Sequence, residues 1–397
     1  MKLLFVQGGS RWRIDEKANV YTETNFNDSI WRRYKGYCDH LVVLLRKDNK
    51  IYTEEEASSK FNKFDLTTAD MIALPDLYSP VTNALKLSIR EEIKKTIEQA
   101  VKSVDKIIIR SLGNIYTNTA LQYAKKYNKP YLVEVTGFTL EGMWYHSLRG
   151  KIVAIPKEWQ YKHLISDAPY VVYVTKQELQ KRYPTSGKSI GCSDVELDRF
   201  DIDVLENRLD RIDMKKDKEL VIGTAGFLDV KFKGQSSVIR AISYLKKSGY
   251  DNIQYKLIGA GTGSELHKLA CKLGVSSQII IEGTLPHNQV YDWYDSLDAY
   301  IHPGYIEGLC RSIVEAMSRA LPVACAAVGG NIELAHEKML FKKGNVKEIA
   351  SIILKLTDPS TLKEEARYSY NKAKEYDKDT LDTRRDDFYL EFTGEKK

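Results

Sequence analysis

The sequence predicts an α/β chain built from two doubly wound, Rossmann-like halves. Three observations carry that expectation. Apolar runs of strand length alternate with amphipathic helical runs along the whole chain. A strand–glycine–helix opening occurs twice, at residues 2–10 and again from residue 220. The chain's 397 residues are also many for one hydrophobic core, which favours two domains.

In the first half, residues 2–7 read as a buried strand, followed by Gly8-Gly9-Ser10, a glycine loop that lets backbone approach a ligand closely. Strands follow at 41–46 and 71–74. From Leu85 through Ile89, Ile93, Ile97 and Val101 an apolar residue recurs every four positions, which predicts an amphipathic helix. It leads straight into a strand at 106–109, so its stripe reads as core-facing, with a membrane-surface role as the competing reading. A helix at 119–127 precedes Pro130 and a strand at 131–135. Residues 136–149 read as a loop rich in glycine and aromatics, carrying His146. A strand at 170–174 and a helix after Thr175-Lys176 complete the domain. Residues 187–218, with a charged run at 208–219, read as a linker, and the boundary falls near 205. The first domain is then 1–205, the second 206–375, and 376–397 a tail that returns to the first.

In the second half, a strand at 220–225 leads through Gly226, Lys231, Lys233 and Gly234 into a helix at 235–247. A strand at 255–258 ends in the glycine-rich stretch 259–263, whose spacing does not fit a dinucleotide fingerprint. A strand at 279–282 and a short helix at 290–297 follow, then helices at 346–356 and 362–376.

Residues 298–335 concentrate the chemistry. Here a strand at 299–301, a helix at 309–319 broken by Pro322, and a strand at 323–327 ending at Gly329-Gly330 before a further helix form a parallel α/β unit. Ligands of such sheets sit at the carboxyl ends of the strands, where helix N-termini point. Glu307 precedes the helix and can project into a cleft. The amides of Gly308, Leu309 and Cys310 offer a seat for a diphosphate. Arg311 adds a bidentate phosphate donor. Glu315 stands four residues from both Arg311 and Arg319, so an ordinary surface ion pair is its competing reading.

Glu307, Glu315-Ala316-Met317, Pro322-Val323 and Gly329-Gly330-Asn331-Ile332-Glu333 resemble, in order and spacing, the donor-binding signature of retaining glycosyltransferases of family 4. Cys310 stands where the nearest variant of that signature has proline. The resemblance implies the GT-B fold, two Rossmann-like domains facing a deep cleft. It implies that Glu307 binds donor-sugar hydroxyls and Glu315 the ribose, and that Lys233 of Lys233-Gly234 holds the diphosphate. Gly226-Phe227 replaces the family's Gly-Arg pair, a loss for which Lys231 and Arg311 compensate. Gly9 would face the cleft, and the backbone at Thr284 and Leu285 would read the base. His146, or else His163, would approach the donor sugar or the acceptor hydroxyl. The implied reaction is sugar transfer with retention and without a metal, from a nucleotide sugar, more often UDP-linked, to a glycan or lipid-linked acceptor of a bacterial surface polysaccharide. A nucleotide-sugar epimerase and a non-catalytic binding module are the alternatives.

The bulk properties agree with a soluble enzyme. A formal charge of +6 spread over scattered lysine pairs gives no basic stripe for nucleic acid, though it is compatible with attraction to anionic headgroups. The opening residues MKLLFVQGG read as a strand and not a secretory leader, and the apolar runs are too short to span a bilayer. Five scattered cysteines suit a reducing cytosol. Asp201-Ile202-Asp203 and Asp377-Lys378-Asp379 lie away from strand ends and read as incidental, so no metal or other cofactor is expected.

Overall fold

The computed structural model describes residues 1–23, 26–146, 148–197, 200–201, 203–215 and 219–394, the side chains of residues 146, 287 and 288 excepted. Two sheets organise it. The first has a parallel core in the order Asp70–Leu74, His40–Tyr52, Lys2–Asp15, Lys106–Arg110, Tyr131–Val135, Tyr170–Tyr173 and Lys188–Gly191. The short strands Val20–Thr22 and Asn62–Lys63 add an antiparallel flank. The second sheet is parallel throughout, in the order Ile279–Gly283, Ile253–Ile258, Leu220–Ala225, Ala299–His302, Val323–Ala326 and Leu340–Phe341. Strands covered on both faces must be apolar on both faces. Leu3 to Val6, Ile107 to Ile109 and Ala299 to Ile301 are accordingly buried without interruption.

Strand order reverses once in each sheet. In the first it reverses beside Lys2–Asp15 and Lys106–Arg110, in the second beside Leu220–Ala225 and Ala299–His302. Such switch points open a crevice at the carboxyl ends of the strands. Both crevices belong to the site described below.

The structure corrects four sequence expectations. Gly8 to Ser10 is not a loop after a short strand but an irregularity within the 14-residue strand Lys2–Asp15, whose register against His40–Tyr52 shifts between Val6 and Arg11. Asn114 explains Gly8, because a Cβ there would stand 2.1 Å from its side-chain oxygen. The expected loop 136–149 contains the helix Thr139–His146, and a 19-residue helix, Leu148–Ser166, follows it. The expected linker holds a sheet strand, Lys188–Gly191, and a helix, Val204–Met214. That helix escaped notice because a charged residue, Arg208, occupies its buried face. The Arg208 guanidinium donates to the carbonyls of Leu297, Tyr294 and Arg319, at the C-terminal ends of two helices. Finally, Gly329–Glu333 is a single 3₁₀ turn where a helix was expected.

The helix Lys378–Thr393 lies on the first sheet. Tyr389 donates to the buried Glu134 carboxylate, Tyr37 to Asp386 at 2.6 Å, and Phe388 and Phe392 pack against Tyr170. The chain thus passes between the lobes twice. The two passages are joined by a parallel bridge in which Leu197 N–H donates to the Tyr376 carbonyl at 3.0 Å and Lys378 N–H to the Leu197 carbonyl at 3.1 Å.

Candidate active site

The second sheet's switch point brings Lys233 and Glu307 together across 74 residues of sequence. Lys233 ends the 3₁₀ turn Lys231–Lys233, and Gly234 then starts the helix Gln235–Lys247. Gly234 has a φ of +76°, and an added Cβ would stand 2.0 Å from the Pro303 carbonyl oxygen. Only glycine lets the turn press this closely on the loop that carries Glu307. The Lys233 ammonium donates to Glu307 Oε1 at 2.6 Å, and His302 Nε2 stands 2.9 Å from the same oxygen. Cys310 Sγ lies 3.5 Å from His302 Nδ1 and 3.2 Å from Ser312 Oγ.

The electrostatics follow from these contacts. Burial opposes ionisation of Glu307, yet His302 and Lys233 together hold its carboxyl down at about 2. Burial likewise disfavours a charged His302, but the Cys310 sulfur and the Glu307 carboxylate raise it to about 10. Lys233 is raised too, against its burial, by Glu307. The carboxylate is therefore anionic at neutral pH and clamped between two cations. His302, Glu307 and Cys310 offer ligand atoms within 4.8 Å of one another, a set with metal-binding chemistry. The Lys233 ammonium already holds Glu307 from the side, so the carboxylate's charge is met by a cation of the chain itself.

Above this triad begins the helix Arg311–Ser318, shorter than expected by two residues at its start. Cys310 is its N-cap and makes no side-chain cap bond. Tyr300 braces the entry, its hydroxyl 2.8 Å from Ser312 Oγ and 3.2 Å from the Ala225 amide it accepts from. Glu315 is half-buried and accepts from the Tyr294 hydroxyl at 3.1 Å. Arg319 binds Asp295 through two nitrogens and so is not the surface partner envisaged for Glu315.

The lobes meet at Gly308. A Cβ there would stand 2.2 Å from the Thr136 carbonyl oxygen, and the Gly308 carbonyl accepts from the Gly330 amide at 2.8 Å. This waist splits the expected cleft into two cavities. One, of about 600 Å³, is bounded by Tyr305, Glu307 and Lys343 on one side and Phe138, Glu141 and Arg182 on the other. The other, of about 500 Å³, is bounded by Gly9, Ser10, Arg110 and Asp194 of the first lobe and Leu309 and Arg311 of the second. In it Arg110 pairs with Glu134 and Asp194, each at 2.6 Å. Burial raises a carboxyl, but Arg110 and Arg311 hold Asp194 below the usual range.

The structure therefore gathers Glu307, Lys233, Gly308, Cys310, Leu309, Arg311 and Gly9 around the two switch points. Gly226 joins them, following the switch-point strand Leu220–Ala225, and a Cβ there would stand 3.8 Å from the Lys233 side chain. Other expected residues lie apart. Lys231 is exposed at the start of the Lys233 turn. Thr284 is exposed and Leu285 partly packed against the core, both after the sheet's edge strand Ile279–Gly283. His146 ends the helix Thr139–His146, and its side chain lies outside the described residues. His163, its expected alternative, is exposed and stacked on Trp159 with ring centroids 6.1 Å apart. The glycine stretch 259–263 already holds a carboxylate. Asp229 accepts from the Thr262 and Gly263 amides at 2.8 and 2.9 Å, at the start of the helix Ser264–Lys272. Sequence reasoning missed His302, Arg110 and Asp194, whose only signal was their place at or just beyond a strand end.

Two parallel-sheet lobes facing each other through their switch points, with an acid and a lysine at the junction, define a GT-B protein. Residues 207–375 match the family model described as Glycosyl transferases group 1. The chain is 30% identical over 356 residues to Protein CapJ of Staphylococcus aureus, covering 89% of this chain and 85% of CapJ. It is 26% identical over 199 residues to TuaC of Bacillus subtilis, a protein named for teichuronic acid biosynthesis, with 49% and 48% covered. Among solved structures, HepE of Anabaena in complex with UDP superposes with a TM-score of 0.63 at 17% identity, covering 98% of this chain and 99% of that one. Sucrose-phosphate synthase from Thermosynechococcus elongatus superposes with 0.65 at 15% identity, covering 99% of each. The chain belongs to the group 1 glycosyl transferases, and it is an enzyme of that class.

Proposed function

We propose that this enzyme is a retaining, metal-independent family 4 transferase. It moves a sugar from a nucleotide diphosphate, UDP in preference to GDP, to a glycan or lipid-linked acceptor of a bacterial surface polysaccharide, at the cytoplasmic face of the membrane. The observation that carries the reading is the Lys233–Glu307 contact of 2.6 Å at the second switch point, beside an uncapped helix start. The names of TuaC and of the UDP-bound HepE support the acceptor class and the base.

In this mechanism Lys233, Arg311 and the amides at the start of Arg311–Ser318 take up the negative charge of the departing diphosphate. Glu307, oriented by His302, binds donor-sugar hydroxyls and stabilises positive charge on the ring, and Glu315 binds the ribose. The bond from the anomeric carbon to the phosphate oxygen breaks. The acceptor oxygen bonds to the same face of that carbon, and its proton passes to the leaving phosphate. His146 lies in the segment after the strand Tyr131–Val135 and is assigned to the sugar or acceptor side. The Lys233–Glu307 pair must loosen for the diphosphate to claim the lysine, so donor binding and rearrangement of this pair are one event.

The test is nucleotide release from a panel of UDP- and GDP-sugars, with and without polysaccharide or lipid-linked acceptors. Acceptor-dependent release is expected with a UDP-sugar. Interconversion of the donor sugar without acceptor would instead identify an epimerase, and binding without turnover a non-catalytic module.

A further inference from the structure

The helix Leu148–Ser166 carries two apolar stripes. Ala154, Tyr161 and Ile165, with Glu158, are spaced by four, three and four residues and are all buried. Leu148, Ile152, Ile155 and Trp159 repeat that spacing six residues earlier, a rotation of about 120° around the helix. These four are 80%, 79%, 65% and 74% exposed. Trp144 of the preceding helix is exposed beside them, with the Lys151 ammonium 5.8 Å from its ring centroid.

Charge chooses the occupant of this second stripe. Arg149, Lys151 and Lys162 are exposed and lie on its flanks, the Lys162 ammonium 3.9 Å from Glu158. Glu158 is the sole acidic residue between 142 and 166, and it faces inward, accepting from Arg182 at 2.6 Å and from Tyr183 at 2.8 Å. A stripe of isoleucine, leucine and tryptophan rimmed by long cations and no acids matches the boundary of an anionic bilayer. There apolar side chains enter the acyl region and lysines reach back to phosphates. Among the described residues no helix is long and apolar enough to cross a membrane, so attachment here is to the surface.

We infer that Leu148–Ser166 seats the enzyme on an anionic lipid surface through Leu148, Ile152, Ile155 and Trp159. The seat is coupled to the site. Glu158, on the buried stripe of the same helix, accepts from the Leu140 amide at 3.1 Å, between Phe138 and Glu141 that border the Glu307 cavity. Resting on the proposed function, the seat presents that cavity beside the bilayer, where a lipid-linked acceptor is found. The lipid seat itself does not depend on the donor or the reaction.

The full chain should co-sediment with phosphatidylcholine vesicles containing about 30% phosphatidylglycerol, and much less with phosphatidylcholine alone or at high salt. The double variant Ile152→Ser/Trp159→Ser should lower the bound fraction about tenfold or more, with an unchanged melting temperature because both side chains are exposed. A second double variant, Leu148→Ser/Ile155→Ser, should do the same. Wild-type protein that stays in the supernatant overturns the inference, as do variants that bind like wild type. So does a wild-type dimer that the variants make monomeric, which would assign the stripe to a second copy. Nucleotide release to a water-soluble acceptor should be equal in wild type and variants. Vesicle binding without release from any sugar nucleotide would instead sink the transferase mechanism and leave the seat standing.

Discussion

In the proposed mechanism Glu307 serves because it is anionic and already oriented before any donor arrives. Glu307→Gln keeps the shape but removes the charge, so nucleotide affinity should rise as Lys233 is released to the diphosphate, while transfer falls about a hundredfold, ~3 kcal/mol in the barrier. Calorimetry of nucleotide binding beside initial rates of release checks this. On the same mechanism Lys233→Ala should weaken both, because the ammonium would meet the diphosphate before and during transfer. His302 supplies a pH signature. Its pKa is raised from 6.5 to about 10, so its contribution to stability is complete below 6.5 and is lost as the pH rises through 10. Glu307 is lowered from 4.5 to about 2, so its contribution is present above 4.5 and disappears as the pH falls through 2. Melting temperatures between pH 7 and 10 should therefore fall more steeply for wild type than for His302→Gln. Parallel curves would show that the buried imidazole is not held protonated.

At the scale of the element, the turn Lys231–Lys233 is fixed by Gly234. Gly234→Ala adds a left-handed strain and a contact of 2.0 Å with Pro303, and should cost about 2–3 kcal/mol in urea unfolding. A variant as stable as wild type would mean that the turn can shift, and Lys233 with it. The sequence was most legible where elements are simple. Tyr131–Val135, Leu220–Ala225 and Gln235–Lys247 fall where apolar runs and their glycine or proline boundaries put them. It was least legible where one helix serves two surroundings. In Leu148–Ser166 the second apolar stripe cancels the one-sided period that marks an amphipathic helix, and Pro156 adds a false stop. The helix Leu87–Lys102, whose clean period reads as core-facing, does bury Ile93, Ile97, Ala100 and Val101. His302 and Arg110 gave no signal because a lone polar residue closing an apolar strand resembles an ordinary strand end. Glu307 and Lys233 were legible only because a whole pattern of residues surrounded them.

At the scale of the molecule, the lobes are joined by few but specific contacts. The Glu333 carboxylate of the second lobe accepts from the amides of Lys176, Gln177 and Glu178 at 2.7, 2.9 and 2.6 Å, at the start of a first-lobe helix. Lys176 also pairs with Glu375 at 2.5 Å. Glu333→Gln replaces an anion by a neutral group with one good acceptor, which should cost about 1–2 kcal/mol of interlobe contact. Small-angle scattering should then show a larger radius of gyration without nucleotide and recovery of the wild-type value with it. An unchanged radius would locate the contact energy elsewhere. Next to the Lys176–Glu375 pair, the joined passages at Leu197 and Tyr376 tie the chain's two crossings to each other. Two covalent crossings stitched into a single seam have the geometry of a hinge with its pin in place. Such a hinge should resist sliding and twisting of one lobe on the other and let the lobes swing about the seam. Spectroscopic labels placed on either side of Gly308 would report that swing, whereas a pair at the seam would record almost nothing.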